Sequence, residues 1–204
     1  MPDSSSVRIV LGSSSRYRQE LLARLQLPFD VIAPDLDETP LKNEAPHQTA
    51  IRLAHAKACA VAQQAPGALI ISSDQLASLH GAPIGKPGSH RNALRQLQQL
   101  RGQRVAFHTA LCVLDDRAAA PGGRIQLAQI DSFVTFRDLP DHELDAYLRL
   151  EQPYDCAGSA KNEGLGIALI AQIESTDPTA LTGLPLIALT SMLRKAGISF
   201  FGTK

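Results

Sequence analysis

Val7-Arg8-Ile9-Val10-Leu11-Gly12-Ser13-Ser14-Ser15-Arg16-Tyr17-Arg18 is the stretch that decides how this 204-residue chain is read. Val7–Leu11 has the look of a buried strand. A glycine and three serines follow, and then Arg16–Leu25, whose Leu21, Leu22 and Leu25 fall on one helical face. A strand running through a short junction into a helix is the building unit of α/β folds. The junction also carries chemistry. Free amides at a helix N-terminus, together with the positive end of its dipole, attract phosphate. Arg18 adds a planar, permanently charged donor fork. The plainer reading is an N-cap at Ser15 with Arg16 and Arg18 solvated.

The alternation continues outward from that point. Phe29–Ala33 predicts a second strand, and the Ala-rich Pro46–Gln64 a long helix with Ile51, Leu53, Ala54, Ala58 and Val61 near helical spacing. Leu69–Ser72 predicts a third strand. Ser89–Leu100 predicts a helix with Leu94, Leu97 and Leu100 inward. Val105–Leu114 and Ile125–Arg137 are β-rich, separated by the turn-rich Asp115–Gly123 as by a hairpin loop. Pro140–Leu150 reads as a short helix, Gly166–Glu174 as a strand, and Leu186–Ala196 as a helix closed by Gly197 at C′. Strands alternating with helices and then a β-rich stretch indicate a single α/β domain with a mixed sheet, structured over about residues 7–197.

Composition limits the function. Apolar residues make up 44% and charged residues 20%, ordinary globular values, and 20 basic residues balance 20 acidic ones. With no net charge and 4% aromatics, the chain lacks the footprint of a nucleic-acid module. A small, multiply charged metabolite held by a local cluster suits it better. Cys59, Cys112 and Cys156 are far apart and match no zinc spacing, so they read as reduced thiols. MPDSSSVRIVLG lacks the pattern of a signal peptide, and no apolar run approaches the ~20 residues of a membrane span, so the expected location is the cytoplasm.

Further charged segments sit at predicted junctions. Asp35-Leu36-Asp37-Glu38 brings three carboxylates together, which calls for a divalent metal or a lysine nearby, unless the loop is simply solvated. Asp74 and Gln75 lie just past the Leu69–Ser72 strand, where α/β sheets bind ligands; Asp74 there can activate a water or hold a metal, or merely cap a turn. Lys57 and Lys86 offer point charges for phosphate oxygens, Lys86 from a stiff Gly-Lys-Pro turn. Cys156–Gly164 is a small-residue loop with opposite charges at Lys161 and Glu163. Asp177 and Thr182-Gly183-Leu184-Pro185 read as the turn leading into the last helix. Together these supply a phosphate cradle, cations, carboxylates and a candidate base, the set that phosphoanhydride hydrolysis needs.

The strings LGSSSRYR, APDLDETP, RLAHAKA, LIISSDQ, GKP, FHTAL, YDCAGSAKNEG and TGLPLIAL, spread in order from Val7 to Leu193, resemble the Maf family of nucleotide pyrophosphatases. The resemblance implies an elongated mixed β-sheet with flanking helices, two lobes around a central cleft, a homodimer, and a divalent cation, Mg²⁺ or Mn²⁺. It implies phosphate binding by Ser13, Ser15 and Arg18, a charged set of Glu38, Lys57 and Lys86, metal contacts from Glu38 and Asp74, and Asp74 as proton acceptor.

Within that family, Tyr17, Gln75 and Glu163 resemble the branch acting on 7-methyl-GTP rather than the branch acting on dTTP and UTP, which carries Arg, Thr and Gln there. Methylation at N7 makes the guanine ring cationic. Tyr17 can stack on such a ring, and Glu163 can accept from the guanine edge and oppose its charge. Two departures stand out: Tyr17 where the branch implies Trp, and Gln19 where a second arginine is common. The alternatives are a dTTP/UTP pyrophosphatase of the same fold and a non-catalytic nucleotide-binding regulator of septum formation.

Overall fold

The computed structural model describes residues 7–117 and 124–201. Strand β1 (Ile9–Gly12) is fully buried and runs into α1 (Arg16–Ala23). Then come β2 (Asp30–Val31), α2 (Pro46–Gln64), β3 (Leu69–Leu79), β4 (Ala82–Ile84), α3 (His90–Leu100), β5 (Arg104–Asp115) and β6 (Arg124–Phe136). Helix α4 (Asp141–Glu151), two 3₁₀ turns (Ala157–Ser159 and Leu165–Leu169), β7 (Ile170–Ser175) and α5 (Leu186–Lys195) complete the order. The strands form one mixed sheet ordered β2-β1-β3-β5-β6-β7, with β4 on β3. β1 is parallel to β2 and β3, and the remaining pairs are antiparallel.

The long strands β3, β5 and β6 run through two lobes. At one end, α1 and α5 cover one face with Leu11, Leu21, Leu22, Leu189 and Leu193, while α2 covers the opposite face through Ala54, Ala58 and Val61 against Val10, Ile70 and Cys112. At the other end, α3 and α4 pack Leu97, Leu100, Leu144 and Leu148 onto Val105, Phe107, Val134 and Phe136. Each lobe has its own apolar core, so both halves of the sheet are rigid and the space between them is held open by structure rather than by chance packing.

One feature of the sheet creates that space. On the edge of β3 away from β5, β1 pairs only with Leu69–Ser72 and β4 only with Ala77–Leu79. Ser73–Leu76 therefore has a neighbouring strand on one side alone. Because strand side chains alternate between faces, groups from both faces of β3 reach the gap.

Several expectations are corrected here. Asp74 and Gln75 do not follow a strand that ends at Ser72; β3 continues to Leu79, pairing with β5 throughout, and Asp74 lies instead just beyond the carboxyl end of β1. Strand β4 was not anticipated. The stretch Gly166–Glu174 begins as a 3₁₀ turn and becomes a strand only at Ile170. Gly166 explains this: a Cβ there would sit 2.5 Å from backbone atoms of Lys161, so the chain folds back on itself too closely for an extended side-chain-bearing residue. Helix α3 buries Ala93, Leu97 and Leu100, with Leu94 only partly covered. The turn read over Asp115–Gly123 falls largely on 118–123, outside the described residues, but Asp115 pairs with Arg124 as the two ends of a hairpin. Among the described residues no helix is long and apolar enough to cross a membrane.

Candidate active site

A cleft of about 820 Å³ opens at the gap beside β3. The ten residues to which the resemblance gives roles all line it: Ser13, Ser15, Tyr17, Arg18, Glu38, Lys57, Asp74, Gln75, Lys86 and Glu163. They come from six separate parts of the chain, and the fold brings them to one place.

At the centre, Lys57 from α2 and Asp74 from β3 form a buried ion pair, Nζ to Oδ1 2.5 Å, with the residues only 6% and 7% exposed. Burial of an ion pair carries a large desolvation cost, so the pair is weak evidence for stability. Glu38 reaches the same ammonium at 2.8 Å. Of the three neighbouring carboxylates, Glu38 alone makes this contact; Asp37 turns onto the amide of Thr39 at 2.9 Å. The loop that carries them is fastened to α2 by Arg52, which bonds both oxygens of Glu44 and the carbonyl of Thr39. Burial pushes the Asp74 carboxyl above its ordinary value, against the pull of Lys57 and Arg18. That direction suits a proton acceptor working near neutrality.

The Ser13–Arg18 junction forms the neighbouring wall. Ser15 caps α1, its Oγ accepting from the amide of Arg18 at 3.4 Å. The hydroxyl of Ser13 accepts from the Ser15 amide at 3.1 Å and from Nη1 of Arg18 at 3.4 Å. Ser15 is the N-cap of the plainer reading, but Arg18 is not solvated as that reading has it, and the capped end lines the cleft. Arg18 donates through Nε to the carbonyl of Gly183 at 3.0 Å, and burial draws its guanidinium below the ordinary value while Asp74 and Glu38 pull it back. Lys86 is exposed at the rim, with no ion-pair partner among the described residues.

Tyr17 and Glu163 occupy the other end. Burial raises the Tyr17 phenol, and Lys161, Cys156, Glu163 and Asp155 are the charged or titratable groups close enough to influence it. With its amide turned so that both ends are satisfied, Asn162 donates to the two oxygens of Glu163 at 3.1 and 3.0 Å and accepts from Oγ1 of Thr182 at 3.3 Å. An aromatic ring and an exposed carboxylate thus line the same cleft as the Lys57–Asp74 pair.

The family model described as Maf-like protein matches residues 8–196. The chain belongs to the Maf family. A 7-methyl-GTP pyrophosphatase of Cupriavidus pinatubonensis is 60% identical over 194 residues, covering 95% of this chain and 96% of the relative. One of Cupriavidus metallidurans is 58% identical, covering 99% and 100%, and one of Burkholderia pseudomallei is 60% identical, covering 97% and 92%. Among solved structures, a nucleoside-triphosphatase (dITP/XTP pyrophosphatase) of Mycobacterium abscessus superposes with a TM-score of 0.48 at 15% identity, over 92% of this chain and 100% of that one.

This Maf cleft also contains groups that sequence reading passed over. The segment Ala180–Gly183, expected to serve only as a turn before α5, forms a wall of the site. Ser73 Oγ reaches the carbonyl of Gly183 at 2.8 Å, Gln75 Nε2 reaches the carbonyls of Ala180 and Leu181 at 3.0 Å each, and Thr109 Oγ1 donates to Ala180 at 3.0 Å. Gly183 has φ 106°, and a Cβ there would lie 3.2 Å from Nε of Arg18, so the position requires glycine. The FHTAL string was the available signal for Thr109, but nothing in it names a partner some 70 residues away. The rest of the Asp177 segment is structural: the buried Asp177 carboxylate caps α5 through the amides of Ile187 and Ala188 and holds Thr179.

Glu38 and Asp74 were expected to touch a divalent metal. Among the described residues no three His, Cys, Asp or Glu side chains converge into a cage. The two carboxylates nevertheless share one cation, the Lys57 ammonium, which is direct evidence that their charges act at a common point. Mg²⁺ is typically held by one or two carboxylates with substrate phosphates and waters completing its shell. The pair fits a metal that arrives with a nucleotide.

Proposed function

We propose that this Maf protein is a nucleoside-triphosphate pyrophosphatase acting on 7-methyl-GTP, releasing pyrophosphate and the monophosphate. The observation that carries the reading is the buried Lys57–Asp74 pair, joined by Glu38, in the same cleft as the capped Ser13–Arg18 junction and the Tyr17–Glu163 end. The names of the relatives at about 60% identity agree with it.

In this reading the triphosphate lies along Ser13, Ser15 and Arg18. Lys57 and Lys86 neutralise non-bridging oxygens. Oδ1 of Asp74 is engaged by Lys57, and the other oxygen takes the proton from the attacking water. Mg²⁺ or Mn²⁺ held by Glu38 and Asp74 would supply further neutralisation of phosphate charge. Tyr17 stacks on the base, and Glu163 accepts hydrogen bonds from it while opposing the charge of a methylated purine. A homodimer belongs to the same proposal and rests on the family resemblance; a cytoplasmic location, and the expectation that neither nucleic acid nor membrane is a partner, rest on the N-terminal pattern, the short apolar runs, the balanced charge and the few aromatics.

The test is a pyrophosphate-release assay over 7-methyl-GTP, GTP, dTTP and UTP with Mg²⁺ and Mn²⁺ in turn. Preference for 7-methyl-GTP supports the proposal. Preference for dTTP or UTP would transfer it to the other branch, and no release from any of the four would favour a regulator.

A further inference from the structure

Gln75 carries more information than its position in the cleft. An amide side chain can present either its oxygen or its nitrogen, and the two usually differ little in shape. Here the choice is settled by three acceptors gathered at one end. Nε2 of Gln75 lies 2.8 Å from Oγ1 of Thr109 and 3.0 Å from each of the carbonyl oxygens of Ala180 and Leu181. The two carbonyls can only accept. Thr109 could in principle donate, but its single hydroxyl hydrogen goes to the carbonyl of Ala180, 3.0 Å away. With that proton committed, Thr109 also can only accept from Gln75.

Thr109 is completely buried and sits directly opposite Gln75 in the β3–β5 ladder, so its hydroxyl has no room to exchange roles with water. Turning the Gln75 amide over would set its oxygen against three acceptors at once. Its Oε1 is therefore the end left over, without a partner among the described residues, on a residue that lines the cleft. Glu163, the other polar group assigned to the base, is an acceptor when ionised.

The geometry points to Thr109 as a positioning residue that, together with the carbonyls of Ala180 and Leu181, fixes the polarity of Gln75, so that the cleft meets a base with acceptors and selects one whose edge carries N–H donors. The inference rests on the 7-methyl-GTP reading and deepens it. An aminopurine edge supplies such donors. A pyrimidine such as thymine, whose two carbonyls flank its single N–H, is met by unpaired oxygens, and burying unpaired polar groups is the strongest source of discrimination available to a site.

Thr109→Val keeps the shape of the side chain and removes one of the three acceptors, which loosens the hold on the Gln75 amide. In the wild type, kcat/KM is measured for 7-methyl-GTP and for dTTP, and both are repeated in Thr109→Val and Thr109→Ser. The expected result is a fall of ~10-fold or more in the 7-methyl-GTP to dTTP ratio for the valine variant, mainly through KM, with the serine variant within about threefold of wild type. An unchanged ratio, or an equal loss on both nucleotides, overturns the inference while leaving the substrate reading in place. Absence of discrimination in the wild type sinks the substrate reading instead. The polarity lock is then judged, as it would be if the valine variant failed to fold, by hydrogen exchange of the Gln75 side-chain amide in the wild type. Protection of ~10-fold or more over a free glutamine supports the lock, and exchange at the free rate overturns it.

Discussion

The ammonium nitrogen of Lys57, in the middle of α2, lies 2.5 Å from Oδ1 of Asp74, on the stretch of β3 that has a neighbouring strand on one side only. The helix brings the cation, the gap in the sheet exposes the carboxylate, and Glu38 adds a second negative charge at 2.8 Å. In the proposed reaction, a polyanion that enters gives the lysine phosphate oxygens as further partners.

The first prediction concerns pH. Burial raises the Asp74 carboxyl above the 3.8 of an unhindered aspartate. A base is active when deprotonated, so kcat/KM must fall as pH is lowered through that raised value. A profile from about pH 4 to 8 should show an acid limb lying above the ordinary aspartate range, and that limb should vanish from the residual activity of Asp74→Asn.

Gly183→Ala tests the wall formed by Ala180–Gly183. The positive φ and the 3.2 Å approach to Arg18 both oppose a Cβ. The variant should lose about 1–2 kcal/mol of stability. It should also raise KM by ~10-fold, because Arg18 must leave the Gly183 carbonyl that orients it. Thermal melts and steady-state kinetics read the two effects separately.

Glu163→Gln keeps the size of the side chain and removes its charge. A cationic methylated ring should lose more than a neutral base, so the ratio of 7-methyl-GTP to GTP turnover should drop by ~10-fold. An unmoved ratio would remove Glu163 from base recognition and leave Tyr17 to account for any preference.

Asp177→Ala separates stability from chemistry. The buried carboxylate caps α5 at 2.7 Å from the Ile187 amide and 2.8 Å from Oγ1 of Thr179, and it does not line the cleft. Its loss should cost about 2–3 kcal/mol and lower the melting temperature by roughly 5–10 °C. At temperatures where the variant remains folded, kcat should stay near that of the wild type.

How far the sequence carried this account depended on whether local signals and long-range pairing agreed. At β1, α1, α2 and α5 they did: apolar runs, a serine cap and a C′ glycine each specify one element without help from elsewhere. They disagreed at Ser72-Ser73-Asp74-Gln75, whose polar residues favour a turn. Ten consecutive β5 pairings override that preference and extend β3 by seven residues. The strand expected over Gly166–Glu174 starts only at Ile170, and its first residues form a 3₁₀ turn because Gly166 packs onto the Lys161 backbone. The ten site residues were legible as types, most at loop junctions and Lys57 inside a helix, yet nothing local could pair Gln75 with Ala180 and Leu181 or place the Gly183 carbonyl between Arg18 and Ser73. Those contacts span more than a hundred residues of chain.

The measurement that bears most directly on the Lys57–Asp74 centre is pyrophosphate release from 7-methyl-GTP by Asp74→Asn, made alongside its melting curve and its affinity for the same nucleotide. With folding and binding kept, kcat should fall by ~10²–10⁴, the usual share of a general base. A folded, nucleotide-binding Asp74→Asn protein that turns over at the wild-type rate would contradict the account.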